Sequence, residues 1–314
     1  MSRSRLNGWL GADRCALRAS AMGYSARSVR NQMRSLTYCP ILSIMESCAL
    51  CGATGVPLTD EDVIPKWALR AFDVQGAVTI QVREEGGSPQ EVGKRRTLKL
   101  VLEGGLCQQC NNVRLSQLEN KVKPILAPMA VECRPTRLDA NAQRMLATWA
   151  VKTAFLVELA LRQQHSGARS VEGYLASPPE MAWLFAKLEP PPRSLAWLGC
   201  WDCQRESPFR YGPSGAPLVT ADGVPVAGHF ATFTLGFVAF QVFTVDFETA
   251  DEHGAGQWNS HPPRSLAQAL ARIWPPDDAN PHDVDWPQQW FARGDLDMLA
   301  SWDGALRRGY DIGQ

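Results

Sequence analysis

The sequence predicts an α+β fold: a small zinc-bound ββα core, followed by a long helix and an antiparallel-sheet C-terminal region. The first observation behind it is a set of four thiols in two Cys-x-x-Cys pairs, Cys48 with Cys51 and Cys107 with Cys110. Two such pairs supply enough ligands for one closed tetrahedral zinc site, which holds structure and leaves no coordination position for catalysis. The other two observations are a run of apolar residues at helical spacing over 141–164, and short apolar runs separated by Gly and Pro beyond it.

The composition bounds the size of the protein, its class and its partners. The 314 residues suffice for two domains or one large one, and a hydrophobic content of 45% supplies a core. Acidic and basic residues balance at 32 each, which gives no overall support for a nucleic-acid partner but leaves room for a local basic patch. Because no apolar run reaches about 18 residues, no membrane-spanning helix is expected. Nine cysteines without an export signal indicate a reducing, cytoplasmic setting.

The first 44 residues differ from the rest of the chain. They contain seven arginines, no lysine and a single acidic residue, Asp13. This composition is typical of an organellar transit peptide, but it also fits a start codon placed too far upstream, with translation beginning at Met45. Either reading predicts disorder over 1–44. The predicted organisation is therefore this leader, a zinc-binding domain over 45–130, and a helical connector with an α+β domain over 131–314.

Within 45–130 the predicted order is a cysteine turn, a hairpin and a helix. Residues 78–83 alternate as a strand, 84–89 form a turn, and 97–102 form the second strand of the hairpin. Gly104 and Gly105 are expected to turn the chain into the second cysteine pair. The helix over 111–122 then closes the unit.

The C-terminal half is predicted to alternate helices and strands. The long helix over 141–164 should bury one broad face, and its Trp149 and Lys152 are interpreted as core residues. The Gly and Pro residues over 211–217 predict turns. The remaining expectations are a helix over 178–187, a strand over 194–201, two strands within 225–247 with a turn near Gly236, a helix over 265–273, and short helices around Trp286, Trp290 and Trp302.

A third cysteine pair, Cys200 with Cys203, has three readings. It could be a redox pair, half of a second zinc site, or a coincidence of spacing. Coincidence is favoured because no partner pair remains to complete a metal site.

Ten residues around the two zinc-type pairs carry a resemblance to a known family. They are Cys48, Cys51, Glu61, Val63, Ile64, Pro65, Trp67, Cys107, Cys110 and Asn111. Their order, Cys-x-x-Cys, then a Glu-His-Val-Ile-Pro-x-Trp-like segment, then Cys-x-x-Cys-Asn, resembles HNH endonuclease-like proteins with a zinc-binding treble-clef core. The resemblance covers roughly residues 45–125. It implies a structural zinc on the four cysteines and DNA or RNA as the substrate.

The resemblance also implies catalytic roles for three residues. Glu61 and Asn111 would stand at the places of ligands to a catalytic Mg²⁺ or Mn²⁺, and Asp62 would stand where the family has its histidine base. An aspartate, with an ordinary pKa of about 3.9, is a weak base at neutral pH. All five histidines of the chain lie outside 45–125. Two functions therefore stay open: a metal-dependent endonuclease, or a non-catalytic module that keeps the zinc scaffold and binds nucleic acid or, through the C-terminal domain, protein.

Overall fold

The computed structural model describes residues 47–72, 78–82, 90–95, 100–164, 178–202, 209–219, 225–245, 269–276 and 282–291. The expectations for 1–44 lie outside these residues. In chain order the elements are β1 (Leu58–Asp62), α1 (Lys66–Ala71), β2 (Val78–Val82), β3 (Gln90–Arg95), β4 (Val101–Cys107), a π-helical segment (Gln109–Leu115), α2 (Ser116–Glu132), β5 (Thr136–Leu138), α3 (Ala140–Gln164), α4 (Pro178–Lys187), β6 (Ser194–Trp201), β7 (Phe209–Val219), β8 (Pro225–Leu235), β9 (Val238–Val245), β10 (Leu270–Trp274), β11 (Val284–Trp286) and β12 (Trp290–Phe291). This confirms an α+β fold built on antiparallel sheets.

The chain divides into two compact units. The first comprises Met1–Pro40 and Ala77–Arg96, and its described part is an antiparallel hairpin of β2 and β3. The second comprises Ile41–Gly76 and Thr97–Gln314 and contains every other described element. None of the described helices is long and apolar enough to cross a membrane.

The largest sheet of the second unit has the strand order β10-β6-β9-β8-β7, with β12 pairing in parallel to the end of β6. Strand β6 is buried along its whole length, which explains its continuous apolar sequence. The predicted turns over 211–217 are wrong, because these residues lie inside β7. Among the described strands β7 is at the sheet edge, a position that tolerates proline residues such as Pro213 and Pro217.

The predicted turn near Gly236 is confirmed as the connection between β8 and β9. Gly236 has a φ of 55°, a left-handed conformation that glycine adopts without strain. A Cβ atom there would also collide with the backbone oxygen of Ala130 and the ring of Phe72. The glycine therefore permits close packing of this turn on the end of α2.

Helix α3 is the centre of the second unit. The predicted helix is confirmed, but the expectation of one buried face is wrong, because every residue from Leu146 to Ala160 is buried. The Trp149 ring lies 6.1 Å from that of Phe233 and 5.6 Å from that of Phe240, both on the large sheet. Helix α2 also packs against α3. A helix covered on several sides has apolar residues around its whole circumference, here with Thr148, Lys152, Thr153 and Glu158 among them.

Three local predictions fail where strand pairing overrides local sequence. Strand β2 pairs with β3, whereas the chain after 97 forms β4, which pairs with β1 and contains both Gly104 and Gly105. The end of the predicted helix over 265–273 is β10, which pairs with β6 although Leu, Ala and Arg favour helices. Trp286 and Trp290 lie in strands β11 and β12, and Trp302 lies outside the described residues.

Candidate metal centre and adjoining polar cluster

The first cysteine pair lies on a tight turn that precedes β1. The backbone N–H of Cys48 donates to the oxygen of Ala53 at 2.9 Å, and that of Gly52 donates to the oxygen of Cys48 at 2.8 Å. Gly52 has a φ of 70°, so a residue with a side chain would be strained there. The N–H of Ala49 donates to Gly105 in β4 at 3.0 Å, which holds the turn against the strand that carries the second pair.

The second pair joins a strand to a helix. Cys107 is the last residue of β4, and Cys110 lies in the π-helical segment that continues into α2. The predicted helix over 111–122 is therefore confirmed, although it begins earlier and ends later.

The structure brings all four cysteines together. Their Sγ atoms lie within 4.8 Å of one another, with 3.4 Å between Cys48 and Cys110 and 3.7 Å between Cys51 and Cys107. A tetrahedral zinc with Zn–S bonds of about 2.3 Å separates its sulfurs by about 3.8 Å. Cys51 is partly exposed and the other three thiols are buried. The set could hold one metal ion such as zinc, and it is the metal-capable cluster found among the described residues.

The electrostatics of the thiols also favour a cation. The hydrogen bond between the Cys48 and Cys110 thiols lowers the pKa of Cys48 to about 4 and raises the pKa of Cys110. Burial raises the pKa of Cys51. Four adjacent thiols cannot all ionise unaided, whereas a divalent ion stabilises them as thiolates and displaces their protons.

A second group of polar side chains, the polar cluster, lies between three helices. The carboxylate of Glu119 on α2 accepts from the indole N–H of Trp149 at 2.6 Å and from the ammonium of Lys152 at 2.9 Å, both on α3. Its other oxygen accepts from the indole N–H of Trp67 on α1 at 3.3 Å. The Lys152 side chain is 0% exposed, and that of Glu119 is 20% exposed. Because a buried ammonium needs a paired anion, this contact is essential to the packing of α2 on α3.

The sequence indicated only part of this cluster. Trp149 and Lys152 were expected in the core, but Glu119 and its role were not predicted. A lysine in the buried middle of α3 is the signal that an acidic partner must exist, although local sequence does not say which acid.

Glu61, the expected metal ligand, borders the polar cluster. Burial raises its pKa to about 7. The positive charge of Lys152 lowers this pKa, and the negative charges of Glu119 and Asp62 raise it. The residue lies in β1 opposite Leu102. The charges of the Lys152 ammonium and the Glu119 carboxylate therefore both act on Glu61.

The other two expected catalytic residues are engaged differently. Asp62 forms an ion pair with Lys66, one helical turn away at the start of α1, at 3.1 Å. The side-chain nitrogen of Asn111 donates to the hydroxyl of Thr59 at 3.0 Å and to the backbone oxygen of Asp60 at 2.8 Å. Asn111 thus anchors β1 to the helix that follows Cys110, but through Thr59 and Asp60 rather than through the Glu61 carboxylate. Since neighbouring strand residues point to opposite faces, Glu61 and Asp62 diverge.

The raised pKa of Glu61 predicts that stability depends on pH. Its pKa rises from an ordinary value of 4.5 to about 7, so the folded chain retains a proton that the unfolded chain loses between these values. The free energy of unfolding should therefore fall as pH rises from about 4.5 to 7, by roughly 1–3 kcal/mol after allowance for partial exposure. Glu61→Gln has no group at this position that titrates in this range. The difference in free energy of unfolding between Glu61→Gln and the wild type should therefore shift in favour of the variant as pH rises from 4.5 to 8.

Urea denaturation at pH 4.5, 6 and 8 measures this difference. Glu103→Gln, which changes an exposed carboxylate on the neighbouring strand, is the matched control. If the free energies of unfolding of the wild type and of Glu61→Gln change equally between pH 4.5 and pH 8, Glu61 does not titrate as described.

Comparison of the chain with models of protein families, with curated proteins and with solved structures finds no match.

Proposed function

We propose that the chain is an HNH-like zinc protein with a treble-clef core, in which nuclease chemistry is lost and the scaffold serves as a nucleic-acid- or protein-binding module. The order of elements supports the treble-clef assignment. A cysteine turn precedes β1, the β1–β4 ladder follows, and a helix begins at the second cysteine pair. The four sulfurs fit one structural zinc, because their spacing agrees with tetrahedral coordination.

Two observations carry the proposed loss of catalysis: Asp62 and Asn111 are held in internal contacts, and burial raises the pKa of Glu61. The Asp62 carboxylate pairs with Lys66, and the Asn111 amide nitrogen is bound to β1. Burial raises the pKa of Glu61 to about 7, so its carboxyl group is partly protonated at neutral pH. A divalent cation would have to displace this proton and the Asp62–Lys66 pair, so these residues fit a catalytic Mg²⁺ or Mn²⁺ poorly.

The second candidate is an active metal-dependent endonuclease acting on DNA or RNA. The hydrogen bond from Asn111 to the backbone oxygen of Asp60 supports it, because this bond holds β1 against the helix that follows Cys110. The ion pair of Asp62 does not exclude this candidate, because the Lys66 side chain is 71% exposed and such pairs contribute little.

Cleavage assays distinguish the two functions. With plasmid DNA and RNA, in Mg²⁺ or Mn²⁺, the wild-type protein should show no metal-dependent cleavage above background. Asp62→His supplies a side chain that titrates near neutrality, and positioned bases contribute about 10²- to 10⁴-fold to such reactions. If the missing base alone limits catalysis, Asp62→His, and not Asp62→Asn, raises cleavage over the wild type, whereas a lost metal site leaves both variants inactive.

The opposite result is also informative. Wild-type cleavage that Asp62→Ala and Glu61→Ala abolish would establish the endonuclease. Wild-type cleavage that both variants leave unchanged would mean that the HNH roles of these residues are wrong and that the active groups lie elsewhere in the chain. For the binding module, labelled duplex DNA and RNA titrated at two salt concentrations test the nucleic-acid partner.

A further inference from the structure

We propose that Cys133 and Cys200 form a redox modification site, in which a reversible disulfide ties the C-terminal end of α2 to strand β6. Their Sγ atoms lie 3.7 Å apart, at van der Waals contact. Neither residue belongs to the four-cysteine metal cluster. Cys133 is partly exposed, whereas Cys200 is buried. The Cys133 thiol is therefore accessible to a reagent, and the Cys200 thiol is already in contact with the Cys133 thiol.

Backbone hydrogen bonds hold the two cysteines in this position. The N–H of Phe237, in the β8–β9 turn, donates to the oxygen of Ala130 near the end of α2 at 3.0 Å. The oxygen of the same Phe237 accepts from the N–H of Trp201 at 3.0 Å, and Trp201 adjoins Cys200 in β6. The Trp201 indole also donates to the oxygen of Gly236 at 2.6 Å. This frame holds both backbone segments in place, and bond formation requires the two sulfurs to close from 3.7 Å to about 2.05 Å.

The conformation of Cys133 supports a role for its side chain. Cys133 is the C-cap of α2 and has a φ of 51°, in the left-handed region where glycine is usually found. Its N–H donates to Met129 at 3.1 Å, and the N–H of Arg134 donates to Pro128 at 3.1 Å, which closes the helix. Glycine would satisfy the same backbone bonds without strain, whereas cysteine also supplies the thiol that meets Cys200.

The chemistry requires a low-molecular-weight disulfide such as oxidised glutathione. The Cys133 thiolate attacks one sulfur of this reagent and expels a first glutathione thiolate, leaving a mixed disulfide. The Cys200 thiolate then attacks the Cys133 sulfur and expels the second glutathione thiolate. The two cysteine protons pass to the two released thiolates, and two electrons pass to the reagent. Burial raises the pKa of Cys133, although the contact with Cys200 opposes this, so the reaction should accelerate from pH 7 to pH 8.5.

The bond would connect two parts of the second unit. It would join residues 67 positions apart in sequence. Helix α2 begins just after the second cysteine pair and ends at Cys133, so its two ends would be fixed, one to the metal centre and one to the large sheet. A cross-link over a loop of this length should raise the melting temperature by about 5–10 °C.

The test uses the full-length, zinc-loaded protein treated with oxidised glutathione at pH 8. Free thiols are then alkylated, and the protein is digested without reduction for mass spectrometry. We expect a peptide pair linked through Cys133 and Cys200, an unchanged zinc content, and a rise in melting temperature that dithiothreitol reverses. Cys133→Ser and Cys200→Ala should each abolish the rise, and the matched control Cys203→Ser should keep it.

Three results would overturn the proposal. The first is full alkylation of Cys133 and Cys200 after treatment. The second is a link from Cys200 to Cys203, and the third is zinc release with oxidation of the metal-site cysteines instead. Because the linked peptide is mapped in the wild-type protein, the test does not depend on the folding of any variant.

Discussion

Cys107→Ser should release the metal and unfold the β1–β4 core together with the start of α2. Structural zinc contributes about 10–16 kcal/mol of apparent binding free energy in zinc-finger peptides, and this energy is available to folding. Cys107 links β4 to the helix and is almost completely buried, so its loss removes both a ligand and a packing contact. We expect less than one equivalent of zinc, a lower melting temperature, and increased proteolysis within 45–130.

The matched control is Cys133→Ser, which changes a cysteine outside the metal cluster. In its reduced form this variant should keep its zinc and melt within a few degrees of the wild type. Cys107→Ser protein that keeps both its zinc and its melting temperature would show that Cys107 is not a ligand.

Lys152→Met should have the second-largest effect, a loss of about 3–5 kcal/mol in the free energy of unfolding. The substitution fits the volume of the side chain but leaves the Glu119 carboxylate without its cation between α2 and α3. Urea denaturation near neutral pH measures the loss. Lys66→Met is the control, because its exposed pair with Asp62 should contribute less than about 1 kcal/mol.

A double-mutant cycle isolates the ion pair from the packing of the lysine stem. Glu119→Gln removes the charge and keeps an oxygen that can accept from Trp149. We expect the free energy of unfolding of the double variant, Lys152→Met with Glu119→Gln, to fall by less than the two single variants predict when added together. The difference should be at least about 1 kcal/mol. Additive losses would mean that the two side chains do not interact as an ion pair.

The metal cluster was predictable because its information is local. Each Cys-x-x-Cys pair specifies a ligand type and a spacing, and four thiols satisfy one tetrahedral ion even when distant chain segments supply them. The structure therefore joins Cys51 and Cys107 although they are 56 positions apart. Strands β6 and β9 were similarly predictable, since both are mostly apolar and rich in aromatic and aliphatic residues.

The polar cluster and several strands were not predictable, because their causes are tertiary. Glu119 meets Lys152 and Trp67 across separations of 33 and 52 residues, and nothing near Glu119 in sequence marks it as a buried partner. Strand β10 contains good helix formers but is held by pairing with β6. Strand β7 contains turn residues, which its edge position tolerates.

Zinc content together with the coordination shell of the metal is the most direct test of the proposed zinc-bound core. Elemental analysis of protein purified without chelator should give about one zinc per chain. X-ray absorption should show four sulfur neighbours at about 2.3 Å and no nitrogen or oxygen ligand. Protein without metal, or zinc with a mixed sulfur and oxygen shell, would contradict a closed site built from Cys48, Cys51, Cys107 and Cys110.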